Sequence, residues 1–218
     1  MNKEKIRKLL KFYLLATKLK DLIRAGWIKR NIERERIESV AEHIYGTCIL
    51  AIAIDSEFDC WINIEKVILM LTIHELEEVI IGDITPFSTI TQEEKREMGK
   101  KAVENILEGL TKKEDYIQLI EEFEQRETNE ACFAKMCDKL EASIQAKLYE
   151  EQKNISVSDS RNKKNLEDSR ITTLIEQGED SIADFFIEYD RHIFNSSLEF
   201  TEVLNFIKEN NLQDIIKE

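Results

Sequence analysis

The chain has 218 residues, 42% of them apolar, and a formal net charge of −13, which fits one large domain with a sizeable core. The strong negative charge argues against binding of nucleic acid or of an anionic membrane by the bulk surface. One proline and six glycines are too few for a many-turned β protein, so an all-α protein is expected.

The first part of the chain predicts three helices around one long connection. Apolar residues recur with helical spacing over residues 4–22, whereas residues 23–38 lose that period. Long connections in compact domains are often functional. Ser39 and Glu42 have the spacing of a capping box and predict a second helix, which is apolar almost all round and therefore central. A third helix is predicted over residues 64–81, before the turn GDITPFS.

The remainder of the chain predicts further helices separated by one polar segment. Helical spacing recurs over residues 92–110, 113–125, 129–149, 171–190 and 197–209. Thr128 or Asn129 is the expected cap of the long helix over 129–149. Residues 151–170 are polar and predict a loop or linker. We therefore expect a core over residues 1–150 and extra C-terminal helices over 171–218, which pack on the core or on a partner subunit.

The cysteines and the N-terminal segment indicate a reduced compartment. None of the four cysteines belongs to a CxxC pair, and Cys48 and Cys137 fall in apolar helical patterns, where a free thiol behaves as a small hydrophobe. The segment MNKEKIRKLLKFYLLATKLK is interrupted by charge, so no signal peptide is expected, and no apolar run reaches the length of a membrane span. These features predict a cytoplasmic protein without a membrane partner.

Two histidines and two acidic residues stand out on apolar helical stretches. His43 lies in SVAEHIYGT, His74 and Glu75 lie in TIHELEE, and Asp138 lies in FAKMCDKLEASIQAK. A single histidine on an apolar helix face is more often a hydrogen-bonded core residue than a ligand. A buried carboxylate, however, needs a cation or a cluster of donors. Taken together, two imidazoles and two carboxylates form a mixed nitrogen and oxygen site that suits a divalent ion.

The order of these groups resembles the HD-domain metal-dependent phosphohydrolases, in which His, His-acid and Asp lie on successive helices. Three segments also resemble motifs of the small 5′-deoxynucleotidase-like branch of that family: RAGWIKRNIERERIESVAEHIYG, HELEEVIIGDITP and KMCDKLEA. The resemblance covers roughly residues 5–150. It implies an all-α HD-domain helical bundle.

The resemblance also implies roles for individual residues. The implied metal ligands are His43, His74, Glu75 and Asp138. Glu78 would position or activate a water, and Asp83 would be a second catalytic group at the mouth of the pocket. Arg24 would bind the substrate phosphate, and Trp27 would shape the side of the pocket that meets the base or sugar. The alternatives are a surface salt bridge for Arg24 and a core anchor for Trp27.

One residue departs from the family pattern, because Glu75 stands where the family has Asp. Glutamate adds one methylene and moves the carboxylate by about 1.5 Å. The identity of the single divalent ion therefore stays open among Mn, Co, Zn, Fe, Ni and Mg. Glu77 and Glu141 are expected to lie in solvent.

The expected function is release of phosphate from nucleoside 5′-monophosphates, deoxyribonucleotides in particular, by a divalent-metal-dependent enzyme. One alternative is a phosphohydrolase of another small phosphate ester. Another is a non-enzymatic helical interaction protein with a structural metal. The expected partners are a small-molecule nucleotide and a second copy of the chain in a homodimer, with no nucleic acid.

Overall fold

A computed structural model describes residues 2–85, 88–155, 173, 176 and 181–217. Within these ranges the secondary structure is helical, and the only strand-like feature is an isolated antiparallel bridge between Ile23 and Ser39. The predicted all-α class is confirmed. The predicted loop over 151–170 is described only as far as residue 155, and the rest of it lies outside the described residues.

The helices follow one another in a simple order along the chain. They are α1 (Lys3–Ala16), α2 (Ala25–Lys29), α3 (Val40–Phe58), α4 (Ile64–Ile73), α5 (Glu78–Ile81), α6 (Gln92–Ile106), α7 (Lys113–Gln125), α8 (Asn129–Glu151), α9 (Ile182–Phe194), α10 (Leu198–Glu209) and α11 (Leu212–Ile215). A 3-10 turn, Thr17–Lys20, continues α1. The predicted helix over 4–22 therefore divides into an α-helical and a 3-10 part.

The helix starts follow the capping residues in the sequence. The Ser39 hydroxyl accepts from the Glu42 backbone, and the Glu42 carboxylate accepts from the Ser39 backbone, so the predicted capping box at α3 is confirmed. Thr91 and Glu94 form a second capping box at α6. Thr128 caps α8, which decides between the two candidates for that position.

The predicted single helix over 64–81 is wrong, because the structure divides it at His74. The backbone N–H of Leu76 donates to Ile73 and that of Glu78 donates to Glu75, both at 3.1 Å and both three residues back. Such 3-10 bonding tightens the chain and eclipses residues three apart. Glu75 and Glu78 therefore share one face of the turn between α4 and α5.

The core has two parts, and α8 contributes to both. Helices α3, α4 and α8 pack against one another in the centre of the larger part. The smaller part, called here the Trp27 cluster, consists of Trp27, Ile32, Ala146, Tyr149, Ile155, Ile182, Ala183 and Phe185. Helix α9 packs along α8 and supplies three of these residues. In the described part of the chain, no helix has the length and apolarity that crossing a membrane requires.

Candidate metal and phosphate site

Four side chains from three regions of the chain meet in the interior. His43 comes from α3, His74 from the end of α4, Glu75 from the turn that follows, and Asp138 from the middle of α8. One nitrogen or oxygen from each lies within 4.8 Å of all the others. His43 Nε2 is 3.2 Å from Asp138 Oδ1, and His74 Nε2 is 3.5 Å from Glu75 Oε1. The structure thus brings together the four predicted ligands, referred to below as the ligand cluster.

Hydrogen bonds on the outer side of each imidazole aim its Nε2 at this cluster. His74 Nδ1 donates to the Leu71 carbonyl at 2.7 Å, and His43 Nδ1 donates to Glu141 Oε2 at 2.5 Å. Metal-binding histidines use their second nitrogen in this way. No hydrogen-bond partner among the described residues reaches the buried His74 Nε2. A buried, unpaired imidazole lone pair that faces two carboxylates fits a metal cation.

The charge states of His74 and Asp138 suit a cation. Burial and Arg24 oppose the charged form of His43, but the Glu141 and Asp138 carboxylates outweigh them and raise the pKa of His43 to about 9, so a bound metal would displace a proton from this imidazole. Burial lowers the pKa of His74 against the pull of the Glu75 and Asp138 carboxylates, which favours the neutral imidazole that a metal needs. Burial opposes the ionisation of Asp138, but Lys135 and Lys139, together with His43 and His74, outweigh it and hold the pKa of Asp138 well below its usual value. The cluster therefore offers an ionised carboxylate next to a neutral imidazole.

Three basic side chains surround the ligand cluster. Arg24 Nη1 lies 3.5 Å from Glu75 Oε1 and 3.5 Å from Asp83 Oδ2. On α8, Lys135 Nζ lies 2.8 Å and Lys139 Nζ lies 3.3 Å from Asp138 Oδ2. The chain as a whole has a net charge of −13, so this group of three basic side chains is a local region of positive charge. It can oppose the charge of a bound phosphate.

Glu78 lies beside the cluster as a buried acid. Its side chain is almost fully enclosed, and its Oε2 has no hydrogen-bond partner in the part of the chain that the structure describes. Burial, followed by the charges of Glu75 and Asp83, raises the pKa of Glu78 to about 11. If all three were ionised, Glu75, Glu78 and Asp83 would thus place more negative charge at this point than the nearby basic side chains balance. A bound cation would reduce the repulsion between these carboxylates.

Asp83 connects the turn after α5 to the start of α2. Gly82 ends α5 with φ of +75°, a conformation that favours glycine. The Asp83 carboxylate then accepts from the backbone N–H of Ala25 at 2.8 Å and lies beside the Arg24 guanidinium. These contacts place Asp83 next to the predicted phosphate-binding residue. Its catalytic role stays a prediction.

Trp27 lies in the smaller part of the core, with only 3% of its surface exposed. Its ring meets Tyr149 edge-on at 5.3 Å between centroids and meets Phe186 at 5.1 Å. Its Nε1–H donates to Glu38 Oε2 at 2.5 Å. This environment is that of a core anchor, the alternative considered for Trp27. Contact with a base or sugar stays a prediction.

Two acidic residues predicted to lie in solvent do not, so both of those predictions are wrong. Glu141 is buried because its carboxylate accepts from His43. Glu77 is half-buried because its side chain packs against Gly99 on α6, and its Oε2 is shielded from solvent. Burial, with the charge of Glu75, raises the pKa of Glu77 to about 8. The available signal for Glu141 was its spacing, one helical turn after Asp138 on an apolar helix.

The described residues form an all-α bundle around a buried cluster of two histidines and two carboxylates. This combination defines a class of helical proteins with a candidate metal site. Comparison with known sequences identifies that class, since the chain matches the HD domain family over residues 16–177. The chain belongs to the HD domain family.

Curated relatives share most of the described core. A Dictyostelium discoideum protein named 5′-deoxynucleotidase HDDC2 is 37% identical over 151 residues, which cover 66% of this chain and 78% of the relative. The Homo sapiens protein of the same name is 34% identical over 147 residues, 66% of this chain and 70% of the relative. A Schizosaccharomyces pombe protein named 5′-deoxynucleotidase hdd1 is 33% identical over 160 residues, 71% of this chain and 78% of the relative.

Solved structures share the fold over a longer stretch. The PH0347 protein from Pyrococcus horikoshii OT3 superimposes with a TM-score of 0.65 at 22% identity, covering 91% of this chain and 97% of that one. A conserved hypothetical protein from Pyrococcus furiosus superimposes with a TM-score of 0.59 at 30% identity, covering 78% and 97%. The coverage of 91% shows that the shared fold extends beyond residues 16–177.

Proposed function

We propose that this protein is a divalent-metal-dependent hydrolase that releases phosphate from nucleoside 5′-monophosphates, with deoxyribonucleotides as the preferred substrates. The observation that carries the proposal is the ligand cluster, in which four ligand atoms lie within 4.8 Å of one another and His74 Nε2 has no hydrogen-bond partner among the described residues. The names of the curated relatives support the nucleotide substrate.

In this proposal the ion is held by His43, His74, Glu75 and Asp138. When bound, the ion supplies Lewis-acid polarisation of a phosphate oxygen and lowers the pKa of water. Its identity remains among Mn, Co, Zn, Fe, Ni and Mg, because imidazole and carboxylate ligands suit several of these ions.

The remaining residues would bind the phosphate and move a proton. Arg24, Lys135 and Lys139 lie where they can neutralise a phosphate, because each already contacts a carboxylate of the ligand cluster. Glu78 would take a proton from the attacking water. Positive charge nearby lowers the pKa of a carboxyl group, so the cations of a loaded site would favour Glu78 as the ionised base. Asp83 would hold Arg24 or contribute a second polar group.

Phosphate release from a panel of ribonucleoside and deoxyribonucleoside 5′-monophosphates, each with Mn, Co, Mg or Zn, tests the proposal. We expect metal-dependent release, fastest with a deoxyribonucleotide. Release only from other small phosphate esters would change the substrate class. Stoichiometric metal without phosphate release from any ester would favour a helical interaction protein with a structural metal.

We also propose a domain division, a homodimer and a cytoplasmic location, from features of the sequence and of the surface. Residues 1–150 are proposed as the catalytic core, with residues 171–218 as supporting helices. A homodimer is proposed because α1 and α3 expose large apolar side chains, among them Leu14, Tyr45 and Ile52. A cytoplasmic location is proposed from the cysteine pattern, and all four cysteines are free thiols.

A further inference from the structure

On the outer side of the ligand cluster, α3 and α8 contact each other through His43, Gly46 and Glu141. Asp138 and Glu141 are three residues apart on α8, and His43 and Gly46 are three residues apart on α3. Residues at this spacing share one helix face. Glu141 therefore lies one turn after the ligand Asp138, and Gly46 lies one turn after the ligand His43. The Glu141 carboxylate accepts from His43 Nδ1 at 2.5 Å and packs against Gly46.

Glycine at position 46 leaves room for this arrangement. A Cβ at position 46 would lie 2.6 Å from Glu141 Oε1 and 3.1 Å from Glu141 Cδ. Such distances are too short, so any larger residue would move the carboxylate. Glycine is otherwise a poor residue inside a helix, where alanine is favoured. Its position in the middle of α3 is explained by the room it leaves for Glu141.

We propose that Glu141 is a positioning residue for the metal site: it keeps a hydrogen on His43 Nδ1 and thereby directs Nε2 to the ion, and Gly46 makes room for it. This inference rests on the proposed function, since it gives His43 a metal to bind. Carboxylates in this position fix the ring orientation of a metal-binding histidine and increase its basicity.

A nearby carboxylate provides a matched control. Glu38 belongs to the same group of close polar atoms as His43 and Glu141. Its carboxylate accepts from Trp27 Nε1, whereas the acceptor for His43 Nδ1 is Glu141. Replacing Glu38 therefore removes a buried carboxylate at the same place and leaves the histidine hydrogen bond intact.

The experiment compares the full-length wild type with E141M, E141Q, G46A and E38Q. Titration calorimetry measures Zn²⁺ affinity, and nitrogen-15 NMR with labelled histidine detects the His43 Nδ1–H. In the proposed tautomer that hydrogen is present in the neutral ring as well as in the protonated one, so the signal can be read with and without Zn²⁺. Slow exchange of this hydrogen reports its bond to Glu141.

E141M keeps the volume and removes the acceptor, so it should lose the slowly exchanging signal and weaken Zn²⁺ binding by about 10–100-fold. E141Q keeps an acceptor oxygen and should retain the signal, with a smaller loss of affinity. G46A should weaken both without altering Glu141 itself. E38Q should retain the signal and bind Zn²⁺ nearly as well as the wild type.

An unchanged signal and unchanged Zn²⁺ affinity in E141M would overturn the proposal, as would equal losses in E38Q. If E141M does not fold, E141Q and G46A decide together, because an unchanged signal and unchanged Zn²⁺ affinity in both would overturn the proposal. A wild type that binds neither Zn²⁺ nor, in the same titration, Mn²⁺, Co²⁺, Fe²⁺, Ni²⁺ or Mg²⁺ would refute the metal site, and hence the proposed function. In that case the NMR signal of the metal-free variants still shows whether Glu141 positions His43.

Discussion

The ligand cluster and the Trp27 cluster are both buried, but they are built from opposite kinds of side chain. The ligand cluster concentrates imidazoles and carboxylates, whose burial costs free energy unless they are paired or bind a cation. The Trp27 cluster is aromatic and aliphatic, and its burial stabilises the fold. The contrast indicates that the ligand cluster serves binding and chemistry, and that the Trp27 cluster stabilises the structure around it.

The two regions are joined at Glu38. Its carbonyl accepts from the Arg24 backbone at 3.0 Å, and its carboxylate accepts from Trp27. Its own backbone N–H donates to the Tyr149 hydroxyl at 3.0 Å. The position of Arg24 beside Glu75 therefore depends on packing around Trp27. Substitutions in the two regions should consequently have different effects, and the following predictions test that difference.

The largest effect is expected from loss of a ligand. His74→Ala should abolish stoichiometric metal binding and the turnover that depends on it, because metal sites with four protein ligands rarely tolerate the loss of one. Elemental analysis of the purified protein and phosphate-release assays measure both. His192→Ala is the matched control, since His192 is exposed on α9 and should change neither. Full metal content in His74→Ala, His43→Ala and Asp138→Ala alike would refute the site.

Glu78→Ala should lower kcat by about 10²–10⁴ while the metal stays bound, because a general base typically contributes that much. The free energy of unfolding should not fall, since the change removes a buried carboxyl oxygen that lacks a partner within the described residues. Steady-state kinetics, metal analysis and denaturant unfolding supply the three measurements. An unchanged kcat with metal present would exclude Glu78 and make Asp83 the next candidate.

Trp27→Ala should act on stability, with a loss of about 3–5 kcal/mol in the free energy of unfolding, as for other large aromatic truncations in a core. Trp61→Ala is the control, because Trp61 is 89% exposed and Trp27 only 3%. Denaturant unfolding of the metal-free proteins provides the comparison. A fully stable Trp27→Ala with a raised KM for nucleotides would instead favour the predicted substrate contact.

Arg24→Ala should raise KM by roughly 10–100-fold, which corresponds to the 1.5–3 kcal/mol of a hydrogen bond to a charged group. The kcat should change less, because a phosphate clamp acts on ground state and transition state alike. Arg7→Ala removes the same charge from an exposed site on α1 and should leave KM unchanged. A large loss of kcat at constant KM would place Arg24 in transition-state stabilisation.

Local signals made much of the fold predictable. Ser39 with Glu42, and Thr128 before α8, are capping residues whose effect depends only on their neighbours in the chain. The break at His74 was not predictable in this way, since the apolar helical spacing continues through it. The only proline nearby, Pro86, lies beyond it and outside the described residues.

Part of the candidate site was also accessible to sequence reasoning, because the ligand types recur in motifs that resemble a known family. Burial of Glu77 was not accessible, because it depends on tertiary packing, and for Glu141 the spacing after Asp138 was the one available signal. Glu77 packs on Gly99 of α6 at ordinary contact distances, and Gly46 leaves the room that the Glu141 carboxylate occupies. Tertiary partners of this kind decide whether a charged residue is buried, and local spacing identifies the helix face but not the partner.

The smallest effect is expected at Glu75, the residue that departs from the family pattern. Its Oε1 lies 3.5 Å from His74 Nε2 and 3.5 Å from Arg24 Nη1. Glu75→Asp withdraws the carboxylate by about 1.5 Å and keeps its charge, so the metal should stay bound with a modest change in affinity. Glu75→Gln keeps the length and removes the charge, so it should weaken binding more.

Titration calorimetry with Mn²⁺ and Zn²⁺ separates these outcomes. If both variants bind each ion as the wild type does, Glu75 is not a ligand and three protein groups hold the ion. If Glu75→Asp loses the metal as completely as His74→Ala, the 3-10 turn that holds Glu75 has fixed the site for the longer side chain.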